Sequence, residues 1–271
     1  MPELPEVETT RAGIEPHILG SQVTDVIIRN RNLRWPVTSG LAGKLQGHKI
    51  QGVTRRGKYL LLTIDSGSVI IHLGMSGSLR MVEATAPANK HDHVDIVFSN
   101  GQCLRFHDPR RFGCVLWTKD DPLQHKLLAS LGPEPLSDNF SAQHLFDLSR
   151  NKKVAVKNFI MDSKVIVGVG NIYASEALFR AGIHPKRAAG KVSRPRYEQL
   201  SRDILAVLTE AIAQGGTTLK DFVGGDGKPG YFQQTLAVYG REGEPCIRCG
   251  EAIKSIVLGQ RSTYFCSTCQ K

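Results

Sequence analysis

Short apolar runs separated by turn residues occupy the chain from about residue 22 to about residue 117. The runs are rich in β-branched side chains, which favour strands over helices. They read QVTDVIIRN, YLLLTID, SVIIHLG, HVDIVFS, CLRF and CVLW. Asp65-Ser66-Gly67 joins two of them, and Asn100-Gly101 predicts a two-residue hairpin. Several short strands joined by tight turns predict a β-sandwich or a β-barrel.

Helical spacing marks the segments on either side of these strands. Pro5 suits a first helical position and Gly20 can end a helix, which predicts a helix over residues 5–20. After the linker Gly132-Pro133-Glu134-Pro135, helical spacing continues to about residue 214. Its clearest apolar stripe follows Ser193 and Pro195 and consists of Tyr197, Leu200, Ile204, Leu208 and Ile212.

These patterns predict an α+β multidomain fold. A first domain over residues 1–130 combines the N-terminal helix with a β-sandwich, and a helical domain follows over residues 131–235. The Gly-rich stretch at residues 224–230 predicts a mobile surface loop. Residues 236–271 form a small cysteine-containing ribbon.

The charge of the chain predicts a polyanionic partner. Among its 271 residues, 35 are Lys or Arg and 25 are Asp or Glu, which gives a net charge of +10. Charge alone does not separate DNA, RNA, an anionic membrane and a merely solvated basic surface. No stretch approaches the roughly 18 apolar residues of a membrane span, and the start of the chain does not have the pattern of a secretory signal. We therefore expect a cytoplasmic protein without a membrane partner.

Four of the six cysteines lie near the end of the chain and have the spacing of a zinc site. The ligands predicted by two Cys-x2-Cys pairs are Cys246, Cys249, Cys266 and Cys269. Four thiolates leave no open position on the metal, so we expect one structural Zn²⁺ that holds the tip of a hairpin around Gly259-Gln260. Cys103 and Cys114 lie in strand-like stretches and are expected to be buried free thiols.

Six blocks in order resemble the formamidopyrimidine-DNA glycosylase family of bacteria, over the full length of the chain. The blocks are MPELPEVE at the start, HLGMSG at 72–77, DPRRFG at 108–113, GVGNIYASE at 168–176, QGGTT at 214–218 and the cysteine ribbon. The resemblance implies a helix-two-turns-helix domain, with Gly168–Asn171 between its helices, and damaged double-stranded DNA as the partner. It further implies a bifunctional glycosylase and abasic-site lyase of base excision repair, acting as a monomer without a small-molecule cofactor.

The resemblance assigns four catalytic residues. Pro2 becomes a secondary amine once Met1 is removed, and an amine with a pKa near 8 is partly uncharged at neutral pH and can attack the sugar carbon. Glu3 protonates the departing base or the opening sugar; for Glu3 and Glu6, N-terminal helix capping is the alternative role. Lys58 serves the first elimination, and Arg261 clamps phosphate and assists the second.

The resemblance also implies a set of DNA contacts. Met75, Arg110 and Phe112 fill the space left by an extruded base and contact its orphaned partner. The remaining contacts are His91, Lys152 and Asn171. At His91 the alternation of Lys90-His91-Asp92-His93 also leaves a metal site open, although alternate residues of a strand point to opposite faces.

Other function classes stay open at this point. A non-catalytic zinc-containing DNA-binding regulator and an RNA-binding protein would share the charge and the zinc ribbon. Within the enzyme class, the alternative is the sister endonuclease VIII group, which prefers oxidised pyrimidines. That group typically has Gly at the position of Leu4 and lacks the set of Met75, Arg110 and Phe112. We therefore expect excision of oxidised purines, 8-oxoguanine and formamidopyrimidines.

Overall fold

The structure, a computed structural model, describes residues 2–215 and 236–271. The loop predicted at residues 224–230 and most of the QGGTT block lie outside these ranges. The described residues fall into two compact units, one up to Ser130 and the other comprising Leu131–Gln214 and the segment from residue 236 to Lys271. The zinc ribbon thus groups with the helical segment.

The first unit consists of one long helix and two antiparallel four-stranded sheets. Its helices are α1 (Leu4–Ile18) and α2 (Leu41–Leu45), followed later by a short 3-10 turn at Pro122–Gln124. Its strands are β1 (Val23–Ile28), β2 (Gly52–Arg56), β3 (Tyr59–Ile64), β4 (Gly67–His72), β5 (Ser78–Glu83), β6 (Asp92–Phe98), β7 (Gln102–His107) and β8 (Cys114–Thr118). The strand orders are β1-β6-β7-β5 and β2-β3-β4-β8.

One hydrophobic core lies between the sheets and α1, as expected for a sandwich. It includes Val7 and Ile14 of α1, Leu60 and Leu62 of β3, and Phe106 of β7, all nearly inaccessible to solvent. The α+β sandwich predicted from the strand pattern is confirmed. Cys103 and Cys114 are buried free thiols, and burial raises the pKa of each thiol to about 12.

Strands β2 and β5 have no counterpart among the predicted runs. Each lies at the edge of its sheet. An edge strand can carry charged side chains, as β2 does in GVTRR and β5 does in SLRMVE. A search for apolar runs therefore misses them. The predicted two-residue hairpin at Asn100-Gly101 is also longer than expected, because β6 ends at Phe98 and β7 begins at Gln102.

The second unit is helical, with a two-stranded hairpin near its end. Its elements are α3 (Ala142–Ser149), α4 (Val156–Met161), α5 (Asn171–Arg180), a 3-10 turn at Ala189–Lys191, α6 (Arg194–Ala213), β9 (Lys254–Leu258) and β10 (Arg261–Phe265). Helix α6 begins after Ser193 and carries Pro195 in its first turn, as predicted. Tyr197, Leu200 and Ile204 are fully buried, because the stripe at helical spacing faces the core of this unit.

Candidate functional site

The N-terminal residues are built into the first turn of α1. Pro2 is buried, and Glu3 and Glu6 are only 2% and 1% exposed. The two glutamates form a capping box, in which the Glu3 N–H donates to Glu6 Oε2 at 2.7 Å and the Glu3 carboxylate accepts the Glu6 N–H. The capping role left open by the sequence is therefore present. The same arrangement holds the Glu3 carboxylate at the first turn of α1, in the residue that follows Pro2.

Arg55 ties helix α1 to the turn that carries Lys58. Gly57 and Lys58 form the turn between β2 and β3. Arg55 Nε donates to Glu8 Oε2 at 2.9 Å, and Arg55 Nη1 donates to the Gly57 carbonyl at 2.9 Å. The side chain of Arg55 is 11% exposed, so water screens this ion pair less than it screens one at the surface. The Lys58 turn is thus held against the helix that begins beside Pro2.

His72, at the end of β4, is an uncharged imidazole close to Lys58. Burial, together with the positive charges of Lys58 and Arg34, lowers the pKa of His72 to about 4. The Gly74 N–H donates to His72 Nδ1 at 3.0 Å, so the proton of the neutral ring is on Nε2. The ring also contacts Tyr59, with centroids 4.7 Å apart. Sequence reasoning did not single out His72; a histidine between a buried strand and a Gly-rich loop was the available signal.

The loops that carry Met75 and Phe112 meet backbone to backbone. A Cβ on Gly74, whose φ is +69°, would lie 2.6 Å from the Gly113 nitrogen. A Cβ on Gly113 would lie 2.4 Å from the His72 carbonyl oxygen. Only glycine permits this approach. Met75 and Phe112 remain 36% and 39% exposed although both are large and apolar. Large apolar side chains usually pack in a core, and these two do not.

An open concavity of about 580 Å³ lies between these loops and the segment after β1. It is lined by Asn32, Leu33, Arg34, Met75, Arg110, Arg111 and Phe112. The Arg110 guanidinium carbon lies 4.7 Å from the centre of the Phe112 ring, which holds a cation next to an exposed aromatic face. Three arginines beside apolar side chains suit a nucleobase flanked by phosphates. Sequence reasoning missed Arg34, which stands in no recognised motif.

His91 precedes β6 beside a network of buried charges. Its ring meets those of His93 and His107 edge to face, at 6.4 Å and 5.9 Å between centroids. Asp92 accepts hydrogen bonds from Arg80, the Asn89 N–H and His107 instead of presenting a free carboxylate. Within residues 2–215 and 236–271, the cysteines form the only cluster of three or more side chains arranged to hold a metal. The metal alternative at His91 thus has no support in the described residues.

Asn171, the first residue of α5, is held by a buried lysine. Lys157 of α4 is fully buried, and its Nζ donates to Asn171 Oδ1 at 2.6 Å and to Thr263 Oγ1 at 2.7 Å. Asn171 Nδ2 donates to the Ser262 carbonyl at 2.9 Å, so both side chains join the helices to β10. Sequence reasoning missed Lys157, whose charge gives no sign of its burial. Lys152 is exposed in the loop between α3 and α4, where its carbonyl accepts the Gly190 N–H at 2.9 Å.

Arg261 is exposed at the start of β10, directly after the turn Gly259-Gln260. Both turn residues have positive φ, 55° and 61°, as in the two-residue hairpins whose twist matches that of the strands. Thr263 Oγ1, which receives the Lys157 hydrogen bond, donates in turn to the Arg261 carbonyl at 3.2 Å. The backbone of Arg261 is thus tied to α4 through one threonine.

Three family models match the chain. The formamidopyrimidine-DNA glycosylase N-terminal domain matches residues 1–115, and the formamidopyrimidine-DNA glycosylase H2TH domain matches residues 131–223. A zinc finger found in FPG and IleRS matches residues 243–271. Together the models cover most of the chain. This chain belongs to the formamidopyrimidine-DNA glycosylase family.

Curated relatives and solved structures of this glycosylase family match over the whole chain. The formamidopyrimidine-DNA glycosylases of Stutzerimonas stutzeri and Methylococcus capsulatus are 60% and 59% identical, with 100% of each chain covered. The MutM (Fpg) protein of Thermus thermophilus superposes with a TM-score of 0.89 at 38% identity, covering 99% of this chain and 98% of the other. Lactococcus lactis Fpg in complex with abasic-site DNA gives 0.92 at 34% identity, with 99% of each covered.

The zinc centre of this family member is formed by the four predicted cysteines. Their sulfur atoms all lie within 4.8 Å of one another, and the Cys246–Cys269 and Cys249–Cys266 pairs are 3.9 Å and 3.5 Å apart. Tetrahedral zinc with bonds of about 2.3 Å needs sulfurs about 3.8 Å apart, so the donor set fits. The chain binds one structural zinc ion here. The cysteines lie at the open end of the β9–β10 hairpin, so the metal anchors its base, whereas we had expected it to hold the tip.

Among the described residues of this glycosylase, no helix is both long and apolar enough to cross a membrane.

Proposed function

We propose that this chain is a bifunctional DNA glycosylase and abasic-site lyase that removes oxidised purines from double-stranded DNA in base excision repair. One observation carries the assignment of the site. Tyr59, the residue after Lys58, pairs with His72, and contacts continue from His72 through Gly74 to the loops of Met75 and Phe112. The turn that carries the lysine of the elimination step is thereby connected through β3 and β4 to the loops whose side chains replace an extruded base. The family membership and the named complexes of Lactococcus lactis Fpg with abasic-site and Fapy-dG DNA support the same reading.

The base-release step uses the two residues at the start of α1. With Met1 removed, the Pro2 nitrogen attacks C1′ of the sugar, the bond from C1′ to the base breaks, and Glu3 supplies the proton that the departing base needs. The nitrogen then loses its own proton, the bond from C1′ to the ring oxygen O4′ breaks as that oxygen takes up a proton, and an open-chain iminium joins Pro2 to C1′.

The strand-cleavage step uses the residues that follow. The iminium withdraws electrons, so a proton on the neighbouring sugar carbon is lost and the bond to the 3′ phosphate breaks. Lys58 serves this first elimination. A guanidinium stays charged and is a poor proton donor. Arg261 therefore binds phosphate and in this way assists the second elimination. Water then hydrolyses the iminium and restores Pro2.

The DNA would be held by separate groups on each unit. Met75 and Phe112 occupy the gap left by the extruded base, and Arg110 contacts its orphaned partner. His91, Lys152 and Asn171 contact the backbone, and Asn171 begins a helix whose N-terminal N–H groups favour phosphate. We propose domain limits of 1–130, 131–235 and 236–271. Because the proposed substrate is bacterial chromosomal DNA, we propose that the protein acts in the cytoplasm, at the nucleoid. We further propose that it acts as a monomer.

Borohydride trapping tests the nucleophile. Incubation with an abasic duplex and borohydride should yield a cross-linked peptide that begins at Pro2, and a form that retains Met1 should yield none. A cross-link on Lys58 in place of Pro2 would overturn the assignment. Trapping also separates the enzyme from a zinc-containing regulator, which forms no covalent adduct.

The lesion class is tested with duplexes that carry 8-oxoguanine opposite each of the four bases, compared with a duplex that carries an oxidised thymine. We expect faster release of the purine. The high identity to formamidopyrimidine-DNA glycosylases favours this outcome over the endonuclease VIII alternative. Faster release of the pyrimidine would contradict it.

A further inference from the structure

We propose that Asp108 is a positioning residue that holds the Arg110–Phe112 loop in the shape required to reach an orphaned base. The inference rests on the proposed role of Arg110 and Phe112 in the function above. Asp108 is fully buried between β7 and the loop, although it carries a carboxylate. Burial of such a group is costly unless its oxygens accept hydrogen bonds.

Both oxygens of the Asp108 carboxylate accept from the backbone of the loop. Oδ2 accepts the Gly113 N–H at 2.8 Å, and Oδ1 accepts the Arg110 N–H at 3.3 Å. The Asp108 carbonyl accepts the Arg111 N–H at 3.2 Å, which closes a turn with Pro109 at its second position. The two ends of the loop are therefore fastened to one side chain.

This fastening explains how the loop keeps an uncommon conformation. Arg111 has a φ of 55°, a left-handed conformation that side chains other than glycine rarely adopt. Local strain of this kind persists only where the surrounding structure imposes it. The hydrogen bonds to Asp108 hold the loop backbone in this conformation. The side chains of Arg110 and Phe112 remain exposed and lie against each other.

Asp108 also connects the loop to the strand that follows His91. The Asp108 N–H donates to the His91 carbonyl at 3.0 Å, and His93 Nε2 lies 2.8 Å from the Asp108 carbonyl oxygen. Asp108 thus fixes the positions of the segments that carry three proposed DNA contacts, His91, Arg110 and Phe112. The sequence signal was available, because Asp-Pro commonly starts a turn in which the aspartate side chain accepts an N–H two residues on.

Asp108→Ala and Asp108→Asn test this role. The first readout is the fluorescence change on binding a duplex in which 2-aminopurine lies opposite a tetrahydrofuran abasic analogue. The second is the ratio of excision rates for 8-oxoguanine opposite C and opposite A. We expect Asp108→Ala to lose most of the fluorescence change and to reduce the ratio at least fivefold. Asp108→Asn should recover part of both, since its amide oxygen still accepts one N–H.

Borohydride trapping on a single-stranded abasic oligonucleotide provides the internal comparison. That substrate has no partner base to contact, so we expect trapping by both Asp108 variants within twofold of the wild type. Asp95→Asn is the matched control. Asp95 is 1% exposed in the same sheet, but its carboxylate binds Arg105 and Arg29 instead of the loop. Asp95→Asn should lower stability while retaining the fluorescence change and the opposite-base ratio.

Two results would overturn the inference. In one, Asp108→Ala and Asp108→Asn keep the full fluorescence change and the wild-type ratio. In the other, both Asp108 variants and Asp95→Asn lose the fluorescence change, the opposite-base ratio and borohydride trapping together, as a general loss of folding would produce. If Arg110→Ala and Phe112→Ala also leave the fluorescence unchanged, the proposed function of the loop fails. If they abolish it while the Asp108 variants do not, only the positioning role fails.

Discussion

Arg110 lies in an exposed turn and Arg261 directly follows one, and each turn contains a non-glycine residue with positive φ, Arg111 in one and Gln260 in the other. The turn of Arg110 rests on the sandwich, whose continuous core draws on both sheets and α1. The hairpin of Arg261 has a much smaller apolar cluster beneath it. That cluster consists of Phe179, Ala237, Val238, Cys246, Ile253 and Cys266.

This difference explains where the metal is needed. The sandwich buries enough apolar surface to hold the Arg110 turn through backbone contacts and one carboxylate. The hairpin buries too little apolar surface to hold the Arg261 turn in this way. Its conformation depends on four thiolates at its open end and on Lys157, which binds Thr263 of β10. Similar exposed arginines can therefore be held by apolar burial in one unit and by a metal in another.

Removal of zinc should have the largest effect on stability, and this effect should be confined to the hairpin of Arg261. Structural zinc contributes on the order of 10 kcal/mol in small zinc domains. A chelator, or Cys266→Ser, should lower amide hydrogen-exchange protection in β9 and β10 at least a hundredfold. Protection in β3 and β4 should stay within threefold. Equal loss of protection in the sandwich would break the comparison.

Lys157→Met should destabilise the second unit by about 3 kcal/mol, because it removes a hydrogen-bond donor from the half-buried Asn171 Oδ1 and from the buried Thr263 Oγ1. Urea unfolding monitored in the helical unit measures this change in the free energy of unfolding. Lys153→Met, at an exposed position nearby, is the control and should change it by less than about 0.5 kcal/mol. A change in Lys157→Met as small as that control would show that the buried ammonium is not needed.

Gly74→Ala, in the loop that packs against the Arg110 turn, is compared with Gly259→Ala, in the turn before Arg261. Both glycines have positive φ, so each substitution carries the cost of a left-handed alanine, about 1 kcal/mol. At Gly74 the new Cβ would also lie 2.6 Å from backbone, whereas at Gly259 it would meet the side chain of Asn158 at 2.9 Å, which can rotate away. We expect Gly74→Ala to cost about 2 kcal/mol more in urea unfolding. Equal costs would argue against the close packing of the two sandwich loops.

The pH dependence of the sandwich should show the smallest effect. Burial and the charges of Lys58 and Arg34 lower the pKa of His72 to about 4 in the folded protein. In the unfolded chain the pKa of a histidine is near 6.5. The unfolded state therefore binds the proton first, and stability falls as the pH drops below about 6.5. Between pH 7 and pH 5.5 the loss should be about 1 kcal/mol more in the wild type than in His72→Asn. Above pH 7 the free energy of unfolding should depend on pH in the same way in both proteins. The same pH dependence below pH 7 as well would contradict the lowered pKa of His72.

Much of the fold follows from local patterns in the sequence. Runs rich in β-branched residues predicted β1, β3, β4, β6, β7 and β8. The stripe from Tyr197 to Ile212 predicted α6, because burial on one face imposes a period on the chain. The cysteine spacing predicted the zinc centre, since two short knuckles can supply a tetrahedron without knowledge of the rest. Strands β2 and β5 were missed because charged residues interrupt their apolar positions, as in GVTRR and SLRMVE. An edge strand tolerates such residues.

The candidate site residues came from recognised blocks, and the sequence by itself determined which residue types are present and in what order. Only the tertiary structure decided their surroundings. It buried Lys157, lowered the pKa of His72, and placed Asp108 beneath the Arg110–Phe112 loop. Each of these depends on contacts between segments distant along the chain or on backbone conformation around a turn. Desolvation and hydrogen bonding are set by such contacts, and neighbours in sequence do not reveal them.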